Sequence, residues 1–149
     1  MSRRQKAILI ELITVIVITA IAVIAITNFR DWLNRSETIQ AMEQLGKIVL
    51  KYRQTHGSIP SEGYVSSVKE QWQGRIRLDK LHYRALWINS ESPPNEILAY
   101  TEKNYRSLFV GKGYAVLRLD GRVEWMEKQQ FETLLAQQQS STEKQAIDY

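Results

Sequence analysis

Residues 7–26 form a run of twenty whose only charged member is Glu11. As a helix such a run is about 30 Å long, the thickness of a bilayer's hydrocarbon core. Thirteen of the twenty are Ile, Leu or Val, each favouring insertion by roughly 0.3–0.6 kcal/mol near the centre of a span. Their sum, on the order of 4–8 kcal/mol, exceeds the roughly 2.5–3.5 kcal/mol cost of a central carboxylate. Glu11 sits near one end of the run, where the cost is lower still. The many β-branched residues favour strand in water, but a lone segment in lipid satisfies its backbone only as a helix. Arg3, Arg4 and Lys6 precede the run, whereas Arg30 beyond it is followed at once by Asp31. That asymmetry predicts an N-terminus in the cytoplasm and the remainder outside. The other reading is a cleaved secretory signal, for which Ala20-Ile21-Ala22 offers a small-x-small triplet. The triplet lies inside the apolar run with no polar stretch before it, so the span is the preferred reading.

The helical pattern continues past the run. Phe29, Trp32, Leu33, Ile39, Met42, Leu45, Ile48, Val49 and Tyr52 recur mostly at three- and four-residue steps among Arg, Glu, Gln and Lys. The spacing predicts one helix over residues 7–55, apolar all round in its first half and amphipathic in its second. Gly46 weakens the second half by roughly 1 kcal/mol relative to Ala. His56-Gly57, with Pro60 three residues on, marks the stop.

Beyond Pro60 the period shortens. Residues 75–78, 83–88, 97–100 and 114–119 are strand candidates, and Asp120-Gly121 between residues 116–119 and 122–125 is the strongest hairpin signal. Ser92-Pro93-Pro94-Asn95 reads as a loop, and residues 128–137 as a short helix carried by Phe131, Leu134 and Leu135. The fold expected is α+β: a long N-terminal helix, transmembrane in its first half, packed on a small antiparallel sheet. Its divisions are a basic leader at 1–6, the transmembrane helix at 7–27, the amphipathic extension at 28–56, a β-rich head at 57–137 and a disordered polar tail at 138–149.

Ile8-Leu9-Ile10-Glu11-Leu12-Ile13, behind a short basic leader and ahead of about fifteen more apolar residues, resembles the N-terminal signature of type IV pilins and type II secretion pseudopilins. Residues 52–60, with Tyr52, Gly57 and Pro60, look like the point where pseudopilin helices give way to the head. Residues 116–125 followed by a short helix are similar to the C-terminal end of many such proteins. The resemblance implies a pilin-like fold and a structural subunit of a type II secretion or type IV pilus-like filament. It implies a single pass through a bacterial inner membrane, with the head periplasmic or extracellular. The partners it implies are other pilin or pseudopilin subunits, an inner-membrane assembly platform and membrane lipid. It gives Glu11 the assembly role of binding a neighbour's N-terminal amine. It also makes Lys6, Ala7 and Ile8 the candidate processing site, followed by N-terminal methylation, with Lys6-Ala7 standing where prepilin peptidase normally meets glycine. Thr27-Asn28 stands near the family's usual kinking proline. The alternative is a single-pass anchored protein whose outer domain binds a ligand or partner without joining a filament.

Other chemistry is sparse. The chain has no cysteine, which excludes disulfides and thiolate metal sites. A net charge of +4 over 149 residues is modest for a nucleic-acid binder. His56 and His82 lack metal-ligand spacing, and Ser66-Ser67-Val68-Lys69 matches S-x-x-K without the companion motifs of acyl-serine enzymes. No catalytic residues are assigned and no enzyme is expected. By the same resemblance Asp120 and Glu124 are candidates for calcium, the one cofactor considered, although a turn role for Asp120 is simpler. Arg75, Arg77, Lys80 and Arg84 interleave with Trp72, Tyr83 and Trp87, a pattern that suits an anionic polymer. The simpler reading is strands with a buried aromatic face and a solvated basic one, so nucleic acid is not an expected partner.

Overall fold

The computed structural model describes residues 3–72, 78, 80–104 and 111–147. Helix α1 runs unbroken from Arg3 to His56, 54 residues or about 80 Å. It passes through Thr27-Asn28 without interruption and stops at Gly57, whose φ of 69° suits a left-handed cap. A second helix, α2 (Glu62–Gln71), starts at Ser61, whose hydroxyl accepts from the Tyr64 amide. Four strands follow: β1 (Leu81–Tyr83), β2 (Ile97–Lys103), β3 (Gly113–Arg118) and β4 (Val123–Glu127). They form one antiparallel sheet in the order β1-β2-β3-β4. Helices α3 (Lys128–Gln138) and α4 (Ser141–Ile147) complete the described chain.

The sheet is covered on both faces. Ala41, Met42, Leu45 and Val49 of α1 pack with Ala99, Ala115 and Leu117 on one side. Phe131 of α3 packs with Ile97, Tyr100, Val116 and Met126 on the other. The two-sided burial explains why β2 is buried at five successive residues rather than alternating. A register shift between Ile97 and Ala99 lets Leu98 and Ala99 both face α1.

The hairpin between β3 and β4 is one residue longer than a two-residue Asp120-Gly121 loop. The Gly121 amide donates to Arg118 O at 3.0 Å, the Arg118 amide donates to Arg122 O at 2.9 Å, and only Gly121 has positive φ, 86°. Residues 119–121 therefore make a turn closed by a left-handed glycine. Its tip is where α1 crosses the sheet. A Cβ on Gly46 would lie 2.9 Å from Leu117 Cδ1 and 3.2 Å from Gly121 O, and one on Gly121 would lie 2.5 Å from Leu50 Cδ1. Gly46 is thus a contact glycine. Arg53, two turns on, donates to Leu119 O at 2.8 Å and Ser90 O at 3.2 Å, fixing the helix to the same corner.

Other elements depart from expectation. Of the strand expected over 83–88 only Tyr83 lies in a strand, at the end of β1, and residues 85–87 turn instead. The candidate at 75–78 lies outside the described residues except for Leu78, which is buried. The tail expected to be disordered contains α4, because Glu143 is drawn into the protein by Arg84.

Two consequences can be measured. Gly46→Ala gains roughly 1 kcal/mol of helix propensity but overpacks a closed contact at a cost of about 1–3 kcal/mol. The expected outcome is a lower urea midpoint for the detergent-solubilised chain, and a higher one would mean α1 and the hairpin do not touch there. Tyr83, whose hydroxyl donates to Pro60 O at 2.9 Å, has its phenol pushed well above the ordinary value by burial, with Tyr52 adding to it. The folded state favours the protonated phenol, so this stability is complete below about pH 10 and lost as pH rises beyond it, where the unfolded chain ionises. Tyr83→Phe should make alkaline unfolding less steep while lowering stability at neutral pH by about 1 kcal/mol. Tyr100 and Tyr114 shift the same way, each chiefly by burial, so some slope remains.

Candidate assembly surface

The apolar half of α1 touches nothing else in the described chain. Four consecutive residues, Val15, Ile16, Val17 and Ile18, are 61%, 58%, 49% and 61% exposed. Successive helical positions turn by about 100°, so every side of this half presents hydrocarbon. A soluble monomer rarely leaves so large an apolar surface bare, and among the described residues α1 is the one helix long and apolar enough to cross a membrane. Its polar side chains are handled locally. The hydroxyls of Thr14 and Thr19 each donate at 2.8 Å to the carbonyl four residues back, and Thr27 does the same to Val23 O. Such bonds remove the need for water around a hydroxyl in an apolar setting. Glu11 differs: it is exposed and makes no hydrogen bond or ion pair among the described residues. Lys6, Ala7 and Ile8 lie in the first turns of the helix, all exposed.

Between the apolar run and the head, α1 forms a neck. Phe29, Trp32 and Leu33 are exposed, and burial by the head starts at Thr38. The Asn28 side-chain oxygen is enclosed without a hydrogen-bond partner. On the head side of the neck the Arg35 guanidinium lies 4.8 Å from the centre of the Trp125 ring.

The remaining candidates are dispersed. Asp120 accepts from the Arg122 amide at 3.0 Å and from Arg122 Nε at 2.6 Å. Burial pushes the Asp120 carboxyl up, but the Arg122 amide and guanidinium, with Arg118, outweigh it and hold it below the ordinary carboxylate range. Glu124 is paired with Arg118. Each carboxylate is neutralised by its own arginine, and no group of three or more His, Cys, Asp or Glu that could hold a metal occurs among the described residues. The pair does not fit calcium. His56 stacks on Tyr52 and His82 on Tyr100, with ring centres 4.1 and 4.9 Å apart, and the Ser67 hydroxyl donates to Tyr64 O within α2.

The basic-aromatic series does not form one surface. Lys80 is exposed, but Arg84 is 4% exposed, Trp72 and Tyr83 pack against the core, and Arg75 and Arg77 lie outside the described residues. Arg84 is committed elsewhere. Its Nε and one terminal nitrogen grip Glu143 at 2.6 and 2.8 Å, and the other terminal nitrogen donates to Ile97 O at 2.6 Å. Glu143 is 1% exposed. Sequence reasoning missed this pair, although Ser140-x-x-Glu143 is a helix-start signature. The Ser140 hydroxyl does accept from the Glu143 amide at 3.2 Å, while the carboxylate turns inward to Arg84.

No family model, curated protein or solved structure matches the chain. Its functional reading rests on its own residues.

The buried pair yields a stability test. Removing one partner strands a buried charge, so Glu143→Ala should cost about 3–5 kcal/mol, whereas Arg84→Met with Glu143→Leu should recover most of it. Urea unfolding of the full chain in detergent checks both, and a harmless Glu143→Ala would mean α4 does not dock.

Proposed function

We propose that this chain is a filament subunit of the type IV pilin and type II secretion pseudopilin kind, assembling through α1. Residues 7–27 hold it in a bacterial inner membrane with the N-terminus in the cytoplasm and the head outside. Other such subunits, an inner-membrane assembly platform and membrane lipid are its partners. The observation that carries this reading is the continuity of α1, bare on every side over its apolar half and then packed on the head through Ala41, Met42, Leu45 and Val49. A membrane anchor alone needs about twenty residues, and the rigid extension adds nothing to anchoring. It does suit a subunit whose helix must reach from lipid into a bundle of other helices.

Apolar helices in lipid gain no hydrophobic energy by meeting, so fit and polar contacts hold a bundle together. Glu11 supplies the polar contact. A carboxylate among lipid tails is expensive, and a cationic group on a neighbouring subunit relieves that cost only in the assembled state. The neighbour's N-terminal amine serves if residues 1–6 or 1–7 are removed, and Arg4 or Lys6 serves if they are kept.

Lys6-Ala7 in place of the peptidase glycine favours a second reading, an unassembled single-pass protein whose head binds a partner outside the membrane. Intact mass of the protein from its native membrane separates the two, because a terminus at Ala7 or Ile8 belongs to an assembling subunit.

The cysteine-free chain allows a direct assay. Single cysteines placed in residues 12–24 should crosslink neighbouring copies in the membrane. Glu11→Ala should leave the chain inserted and reduce those crosslinks at least tenfold, the equivalent of about 1.4 kcal/mol. Undiminished crosslinking in that variant would remove Glu11 from assembly.

A further inference from the structure

Helix α4 is docked by a single side chain. Among its described side chains only Glu143 is buried, while Ser141, Thr142, Lys144, Gln145 and Ala146 lie in solvent. None of them joins either core cluster. Apart from Glu143, the ties of α4 run back to the end of α3. Lys144 Nζ donates to Ala136 O at 2.9 Å, and the Lys144 amide to Ser140 O at 3.1 Å. Seven residues are too few for a helix to stand by itself. Gln139, which joins α3 to α4, is extended, and a rotation of the chain there is all that swinging α4 away requires.

The socket that receives Glu143 belongs to the head. Arg84 Nη1 donates to Ile97 O at 2.6 Å and the Arg84 amide to Leu98 O at 2.8 Å, so β2 holds the guanidinium independently of α4. Nε and Nη2 form the fork that grips both Glu143 oxygens, a bidentate geometry that suits a carboxylate. Glu96 Oε1 lies 4.0 Å from Nη2 and offsets part of the positive charge, which favours a singly charged carboxylate over a phosphate dianion. The chain at Arg84 also carries apolar surface that α4 leaves uncovered. The Trp87 amide donates to Arg84 O at 2.9 Å, closing a turn over residues 84–87. Within it Leu86 is 80% exposed and Trp87 38%. Beyond α1, only Tyr64 joins them as an exposed large hydrophobic among the described residues.

A fork filled by a carboxylate, beside bare Leu86 and Trp87, describes an occupant that α4 only partly supplies. We propose that Arg84 is the receptor of an exchangeable carboxylate, with α4 as its resident latch. The segment that displaces Glu143 is an acidic peptide of a partner protein, with apolar residues flanking its carboxylate. Both occupants make the same ion pair, and only the partner also covers Leu86 and Trp87, which gives it the advantage. Exchange at this site requires neither a filament nor a membrane.

The test uses the full chain in single-copy nanodiscs and fluorescein-labelled peptides of residues 139–147. One peptide has the native sequence, others carry leucine at each exposed position of α4 in turn, and a control adds Glu143→Gln. Anisotropy reads binding, and hydrogen exchange of the chain's own residues 141–147 reads release of α4. Peptides with the glutamate should bind and unprotect α4, and the control should bind about tenfold more weakly. Binding should tighten about tenfold in the full chain with Glu143→Gln, whose own latch no longer competes. At least one leucine peptide should bind about tenfold more tightly than the native sequence, a gain that Leu86→Ser with Trp87→Ser abolishes. Binding that ignores the peptide carboxylate, leaves α4 protected, or gains nothing from leucine would overturn the proposal. The wild-type chain alone decides these points if the Glu143→Gln chain does not fold. Release of α4 by millimolar inorganic phosphate would overturn the proposal in favour of a small-anion site. Exchange of α4 that occurs only in two-copy discs would overturn it in favour of a second copy of this chain.

Discussion

The N-terminal third of this protein is a helix long and apolar enough to cross a membrane, and an amide in hydrocarbon has no water to bond. Helix α1 meets that constraint by pairing its backbone internally and by folding the hydroxyls of Thr14, Thr19 and Thr27 back onto its own carbonyls. The three prolines of the chain all fall outside α1, at 60, 93 and 94. The apolar half is therefore a rod with a single unanswered polar group, the Glu11 carboxylate. Everything downstream inherits the rod's direction, because the same helix supplies one face of the head's core.

Rod and head are joined by close approach as well as by apolar contact. Gly46 lets the helix come down onto the hairpin, and Gly121 lets the hairpin tip come up against Leu50. Arg53 then fixes Leu119 O and Ser90 O. The corner works only if the turn carries its extra residue and a left-handed glycine, so the local chemistry of residues 118–122 sets the position of α1. The opposite face of the sheet is closed by α3, and the Arg84–Glu143 pair holds α4 against the edge next to β1 and β2. A four-stranded sheet of this size needs both covers, since one exposed face would leave Val116, Tyr100 and Met126 in water.

What was legible in the sequence was what local physics decides. The apolar run, the helix stop at Gly57, the hairpin around Gly121 and the helix from Lys128 each depend on neighbours within a few residues. Helix α2 was hidden because Glu62-Gly63-Tyr64-Val65-Ser66-Ser67-Val68 contains few good helix formers. It forms through the Ser61 cap and burial of Val65. Arg84 was misplaced for a related reason: its spacing among aromatics suited a solvated strand, and only a contact 59 residues away turns it inward. The polar composition of residues 138–149 concealed Glu143 in the same way. Glu11 stood out because a lone charge in an apolar run needs no tertiary knowledge to be noticed.

The neck is where the filament reading and the anchor reading part. From Asn28 to Glu37, about 15 Å of helix, the head buries no residue of α1. With residues 7–27 in a membrane, as proposed, a lipid-water boundary would account for the exposed Phe29 and Trp32 at the lower end. Above it, Ile39, Ser36 and Gln40 line an open groove with Glu43 at its upper edge. An anchor alone does not call for a helical neck, since a flexible linker would separate head from membrane at smaller cost in ordered residues. In a bundle of the kind proposed, neighbouring helices would support the neck, and its mixed apolar and charged surface would provide the register that the apolar half cannot. The specificity of assembly would then reside in residues 28–43, with Glu11 acting as the condition for entry.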